Sequence, residues 1–90
     1  MYRRVTFESQ AFEDYVRWQT PSMLTDQSSA GFINDAIRII QLYGHERASV
    51  PVTYESEDAW SRHLFGKHHL IYQLSSDEMR ILSCRHRKTK

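Results

Sequence analysis

Ninety residues make a single domain, 1–90, with one modest core, because a chain of this size buries only about 60 to 65 per cent of its unfolded surface. Twelve Lys and Arg against eleven Asp and Glu leave a net charge of +1 and a pI near 8.0. That balance excludes a strong nonspecific polyanion binder and confines any nucleic-acid role to a local patch. The lone Cys84 excludes an internal disulfide and a cysteine-based zinc site. No stretch approaches membrane-spanning length and no apolar leader follows Met1, so the expectation is a cytoplasmic chain without a membrane partner.

Val5 and Phe7 alternate with Arg4 and Thr6, the period of a short half-buried strand, and Glu8-Ser9 supplies a helix start. Ala11, Phe12, Tyr15, Val16 and Gln19 then recur at helical spacing and predict an amphipathic helix over about 10–19, which Pro21 stops by biasing Thr20 away from helical geometry. Thr25 and Asp26 are candidate caps of a second helix. Its stripe is Phe32, Ile33, Ala36, Ile37 and Ile40, and Gly44 is its stop. A polar segment, His45 to Ser49, leads to Val50-Pro51-Val52. This is expected on a sheet edge because Pro51 cannot donate to a ladder. Glu55 to Asp58 reads as an acidic turn.

From Trp60 the period becomes two, with Trp60, Arg62 and Leu64 pointing one way and Ser61, His63 and Phe65 the other. After a hairpin-like Gly66-Lys67, the next strand sets Leu70, Tyr72 and Leu74 toward the helices and His69, Ile71 and Gln73 away. A turn at Ser75 to Glu78 precedes a last strand, where Leu82 and Cys84 continue the apolar face and Ile81, Ser83, Arg85 and Arg87 are expected on the exposed one. The resulting fold class is α+β, two N-terminal helices packed on one face of a small, mainly antiparallel twisted sheet. If the strands pair in sequence, His63, His69, Arg85 and Arg87 share a surface. A sheet with apolar groups on one face and cationic, titratable groups on the other suits phosphate, and suggests RNA.

Phe7-Glu8 with Ala11-Phe12-Glu13-Asp14-Tyr15-Val16-Arg17-Trp18-Gln19 resembles the opening of the Txe/YoeB family of RelE-type toxins, whose first helix carries an acidic-Asp-Tyr-x-x-Trp-Gln run. Trp60-Ser61-Arg62, then His68 followed by Leu70-Ile71-Tyr72, then Cys84-Arg85 are similar in order and spacing to that family's Trp-Ser-Arg-Arg, His-Arg-Leu-Val-Tyr and Cys-Arg-Tyr-His-Tyr segments. The resemblance implies the RelE-like fold and the toxin of a type II toxin–antitoxin pair. It also implies an endoribonuclease that enters the ribosomal A site, meets ribosomal RNA and cuts mRNA there. Its implied partners are an acidic antitoxin covering the basic face and promoter DNA through the antitoxin alone; a homodimer is an expectation from aromatic groups such as Trp60, read as exposed. It implies no cofactor. The chain departs from the family pattern where it matters for chemistry. His63 stands at the second Arg after Trp-Ser, His69 at the Arg before Leu-Val-Tyr, and Arg87-Lys88 at the terminal His-Tyr. If Pro51 matches the family proline, Val50 stands at the catalytic Glu and Thr53 at the nearby Lys.

Cleavage through the 2′-hydroxyl needs a base for its proton, an acid for the leaving 5′-oxygen and cationic donors for the phosphorane. Imidazole titrates near pH 6.5 and serves as either acid or base, whereas guanidinium is a permanent fork of donors. His63 and His69 are therefore the acid–base candidates and Arg87 the transition-state clamp, with Lys67, Arg85 and Lys88 holding the RNA backbone. His68 is expected on the opposite side from His69, in a turn or packing role. Trp18 and Trp60 are read as packing or interface residues, and Tyr15, Tyr72 and Cys84 as core. The His63-x4-His68 spacing sits on a hairpin and lacks partner ligands, so no metal is expected. The competing reading is a catalytically silent binding module or repressor partner, favoured by the loss of the family Glu and the near-neutral charge. A gyrase inhibitor of the ParE type shares the fold but lacks the Trp-Ser-Arg signature.

Overall fold

The alternation of Val5 and Phe7 with Arg4 and Thr6 is realised as β1 (Arg4–Phe7) in a computed structural model that describes residues 3–19, 27–45, 49–64 and 68–84, those at 27–30 by their backbone alone. Helix α1 (Ser9–Gln19) follows directly, its first turn closed by the Phe12 amide donating to the Glu8 carbonyl at 2.9 Å. The buried face of α1 is rotated from the one the apolar spacing predicts. Ala11 and Asp14 are buried, with Tyr15 and Trp18 packed beside them, whereas Phe12 is 53% and Val16 45% exposed. Polar anchoring sets this rotation: the Trp18 indole donates to the Cys84 carbonyl at 2.7 Å and the Tyr15 hydroxyl to Asn34 Oδ1 at 2.8 Å.

Helix α2 (Gln27–Tyr43) buries Ile33, Ala36, Ile37 and Ile40, the spacing of one helical face. Phe32, expected on that stripe, is 51% exposed because it lies at the stripe's margin. The proposed caps Thr25 and Asp26 lie outside the described residues. The C-terminal stop is as expected. Gly44 takes φ +89°, a conformation that a Cβ disfavours, and its amide donates to the Ile40 carbonyl at 2.9 Å. The Arg3 guanidinium donates to the Gln41 carbonyl at 3.1 Å and to the Ser75 carbonyl at 2.8 Å, setting a positive charge at the negative end of the helix dipole.

Four more strands complete the sheet among the described residues: β2 (Ser49–Tyr54), β3 (Glu57–His63), β4 (His69–Leu74) and β5 (Glu78–Ser83), in the spatial order β1-β5-β4-β3-β2. β1 runs parallel to β5 and the other pairings are antiparallel. β2 is an edge strand, as Pro51 requires. The turn before β3 is tighter than the acidic segment suggests. Only Glu55 and Ser56 turn, at φ +48° and +70°, while Glu57 and Asp58 already pair with Tyr54 and Thr53. Positive φ at both central residues matches the strand twist in a two-residue hairpin. The Gly66-Lys67 turn lies outside the described residues.

β5 corrects the expected alternation. Tyr72 pairs with Ile81 but Ile71 pairs with Ser83, so Leu82 is the extra residue of a β-bulge. Ile81 is consequently fully buried under the helices with Met79, Tyr72, Leu70 and Cys84, while Leu82 turns to the far side. Each large aliphatic side chain buried in this way contributes about 1.5–3 kcal/mol. The far face is itself partly apolar. Ala59, Ile71 and Leu82 form a second small cluster, with Val52 and Tyr54 against it.

Candidate active site

Strand parity fixes what the helix-free face displays. Val50, Val52 and Tyr54 come from β2, Ala59, Ser61 and His63 from β3, His69 and Ile71 from β4, and Arg80 from β5. His63 and His69 are direct cross-strand partners, and their rings meet edge to face with centroids 5.2 Å apart at 67°. The two sequence-predicted acid–base candidates are thus brought together, with His63 exposed and His69 half-buried. The Arg62 guanidinium donates to the His63 carbonyl and braces the end of β3. Arg87, Lys67, Arg85 and Lys88 lie outside the described residues.

The other end of the same face is closed by its own polar bonds. Arg80 donates to Glu8 Oε2 at 2.6 and 2.9 Å, Thr6 to Glu78 at 2.8 Å, and Gln73 Nε2 to Glu57 and to the Asp58 carbonyl at 3.3 and 2.9 Å. Carboxylates therefore gather away from the imidazoles, and a polyanion meets the least repulsion at the histidine end. Between the two ends lies the apolar floor of Ala59, Ile71 and Leu82. Val50, where the family carboxylate falls if Pro51 is the matching proline, is 51% exposed opposite Ser61, one pleat from His63.

The remaining aromatic and histidine expectations fall on the helix side. His68 meets Trp18 edge to face at 4.8 Å, which makes it a packing residue, and Tyr72 is fully buried. Cys84 is in the core, its thiol donating to the Ala11 carbonyl at 3.4 Å. Burial, helped by nearby Asp14, pushes its pKa up to about 12.

One constellation escaped the sequence reading. His45, immediately after the Gly44 stop, stacks on Trp60 at 3.9 Å and 29°, and its Nδ1 lies 2.9 Å from the Tyr72 hydroxyl. That hydroxyl donates to Ser49 Oγ at 2.9 Å, an arrangement that the His45 tautomer with its proton on Nδ1 completes. His45 is exposed, but partial desolvation of its ring, and then the Arg3 charge, hold its pKa below the ordinary value. The available signal was a histidine directly following a glycine helix stop and preceding an edge strand.

The family model for the YoeB-like toxin of bacterial type II toxin–antitoxin systems matches residues 7–88. Among solved structures, a YoeB dimer from Staphylococcus aureus is 28% identical, with 96% of this chain and 98% of that one covered and a TM-score of 0.73. A heterotetrameric YoeB-YefM toxin–antitoxin complex from the same organism gives 28% identity, the same coverage and a TM-score of 0.72. A YoeB/ParE toxin from Agrobacterium tumefaciens, 22% identical over 94% of this chain and 99% of that one, has a TM-score of 0.75 and bears on the fold alone. No curated protein matches the chain.

Proposed function

This chain belongs to the YoeB-like toxins of bacterial type II toxin–antitoxin systems, and from that premise we propose that it is a ribosome-dependent endoribonuclease whose cleavage centre is the His63–His69 pair. The observation that carries the proposal is the pairing itself: two imidazoles, directly opposite on adjacent strands, on the sheet face away from α1 and α2. In the proposed reaction one neutral imidazole takes the 2′-hydroxyl proton and the oxygen attacks the adjacent phosphorus. The other, protonated, gives its proton to the departing 5′-oxygen. The products are a 2′,3′-cyclic phosphate and a free 5′-hydroxyl. Arg87 stabilises the phosphorane charge, and Lys67, Arg85 and Lys88 hold the flanking phosphates.

The partners follow from the relatives, one of which is complexed with YefM and another dimeric. We assign this toxin an antitoxin of its own, and place one contact on the outward apolar residues Phe12 and Val16 of α1, which share a helix face one turn apart. A second copy of the chain is a further partner. The silent-module reading is favoured by one observation, the uncharged Val50 beside the histidine pair. Expression without the neighbouring antitoxin gene decides between them. Growth arrest with codon-positioned mRNA cuts supports the nuclease, and normal growth with intact mRNA supports the silent module.

A further inference from the structure

Read along the chain, His63 and His68 are the pair whose spacing raises the question of a metal, and the structure separates them: His68 packs against Trp18 on the helix side. Strand register instead puts His63 opposite His69. In tetrahedral coordination zinc lies about 2.0–2.1 Å from each imidazole nitrogen, and a further 1.1 Å or so reaches each ring centre, so two ligating rings have centroids about 5.1 Å apart. The observed separation is 5.2 Å. By the same arithmetic a square-planar ion would set the rings about 4.4 Å apart as cis ligands or about 6.3 Å as trans ligands, so the spacing favours tetrahedral ions.

We propose that His63 and His69 form a two-histidine binding site for a divalent transition-metal ion of tetrahedral preference, with Zn²⁺ the best fit. The rings now meet edge to face at 67°, so both must turn about χ2 to converge their nitrogens. That torsion is soft, and His63 is exposed, so binding exchanges contacts the two rings now make, their mutual edge-to-face contact included, for bonds to the ion. The strands already fix the two Cα atoms, so little backbone order is lost on binding. Among the described residues no group of three or more His, Cys, Asp or Glu side chains is placed to hold an ion, so the pair would supply two ligands, with water completing the coordination and the ion exchanging. Binding does not depend on the nuclease reading. If that reading holds, the ion occupies both proposed acid–base groups and blocks cleavage.

The test uses the full chain without RNA. Zn²⁺ is titrated calorimetrically at pH 7.5, and Co²⁺ is followed by its visible absorption. The expected result is one saturable site and the strong bands of tetrahedral Co²⁺. His63→Gln and His69→Gln, which keep size and hydrogen bonding, should each weaken Zn²⁺ by at least about tenfold, with circular dichroism unchanged. His45→Asn should bind as the wild type does. Wild-type affinity in either glutamine variant, or no saturable binding in the wild type, overturns the site. A separate cleavage assay, with and without Zn²⁺, tests the block. Loss of metal binding with cleavage intact sinks only the metal site, and metal binding without any cleavage sinks only the nuclease.

Discussion

His45 is held by three neighbours: the Trp60 ring beneath it, the Tyr72 hydroxyl at its Nδ1 and the Arg3 charge nearby. Partial desolvation and that charge disfavour the imidazolium, so its folded pKa lies below the unfolded value of about 6.5. The unfolded chain therefore binds the extra proton first. The stabilising contribution is complete above about pH 6.5 and is lost as pH falls through the lower folded pKa. Urea denaturation at pH 7.5 and 5.5 should show wild-type stability falling more steeply than that of His45→Asn; equal slopes would remove His45 from the pH response. Cys84 makes a sharper case. With its pKa pushed up to about 12, the native thiol should resist a thiol reagent at pH 8 and react fully only in denaturant.

At the scale of elements, α1 is turned by its polar anchors as much as by its apolar spacing. Trp18→Phe keeps the ring but removes the donor to the Cys84 carbonyl, and should cost about 1–3 kcal/mol in chemical denaturation. Phe12→Glu with Val16→Lys alters exposed positions but removes the edge-to-face contact of Phe12 with Phe7 at 5.8 Å, so stability should fall by about 1–2 kcal/mol with the fold retained. Antitoxin affinity should nevertheless drop by more than tenfold in a titration; unchanged affinity would move the contact elsewhere. The β2–β3 turn is a local strain. Replacing Glu55-Ser56 with Asn-Gly, which accept φ > 0 at low cost, should raise stability by about 1 kcal/mol and Tm by about 4–8 °C.

For the whole molecule, periodicity carried most of the architecture. Ile33, Ala36, Ile37 and Ile40 announced α2's buried face, Pro51 announced a sheet edge, and alternation from Trp60 onward put His63 and His69 on one surface. Three features were illegible for physical reasons. The bulge at Leu82 inserts a residue that alternation cannot foresee, and it exchanged the faces expected for Ile81 and Leu82. The rotation of α1 depends on hydrogen bonds to Asn34 and Cys84, distant in sequence. The stack of His45 on Trp60 joins a helix end to a strand that only folding brings near. The parallel β1–β5 pair joins the two ends of the described chain in one sheet and buries Ile81 and Met79 between the layers, with His63 and His69 on the opposite face.

The most direct test is single-turnover mRNA cleavage on programmed ribosomes by the wild type, His63→Ala and His69→Ala, with antitoxin binding and thermal stability measured on the same proteins. Each substitution should slow cleavage by about 10²-fold or more while binding and stability stay at wild-type values. Cleavage at the wild-type rate in either variant would contradict the His63–His69 assignment.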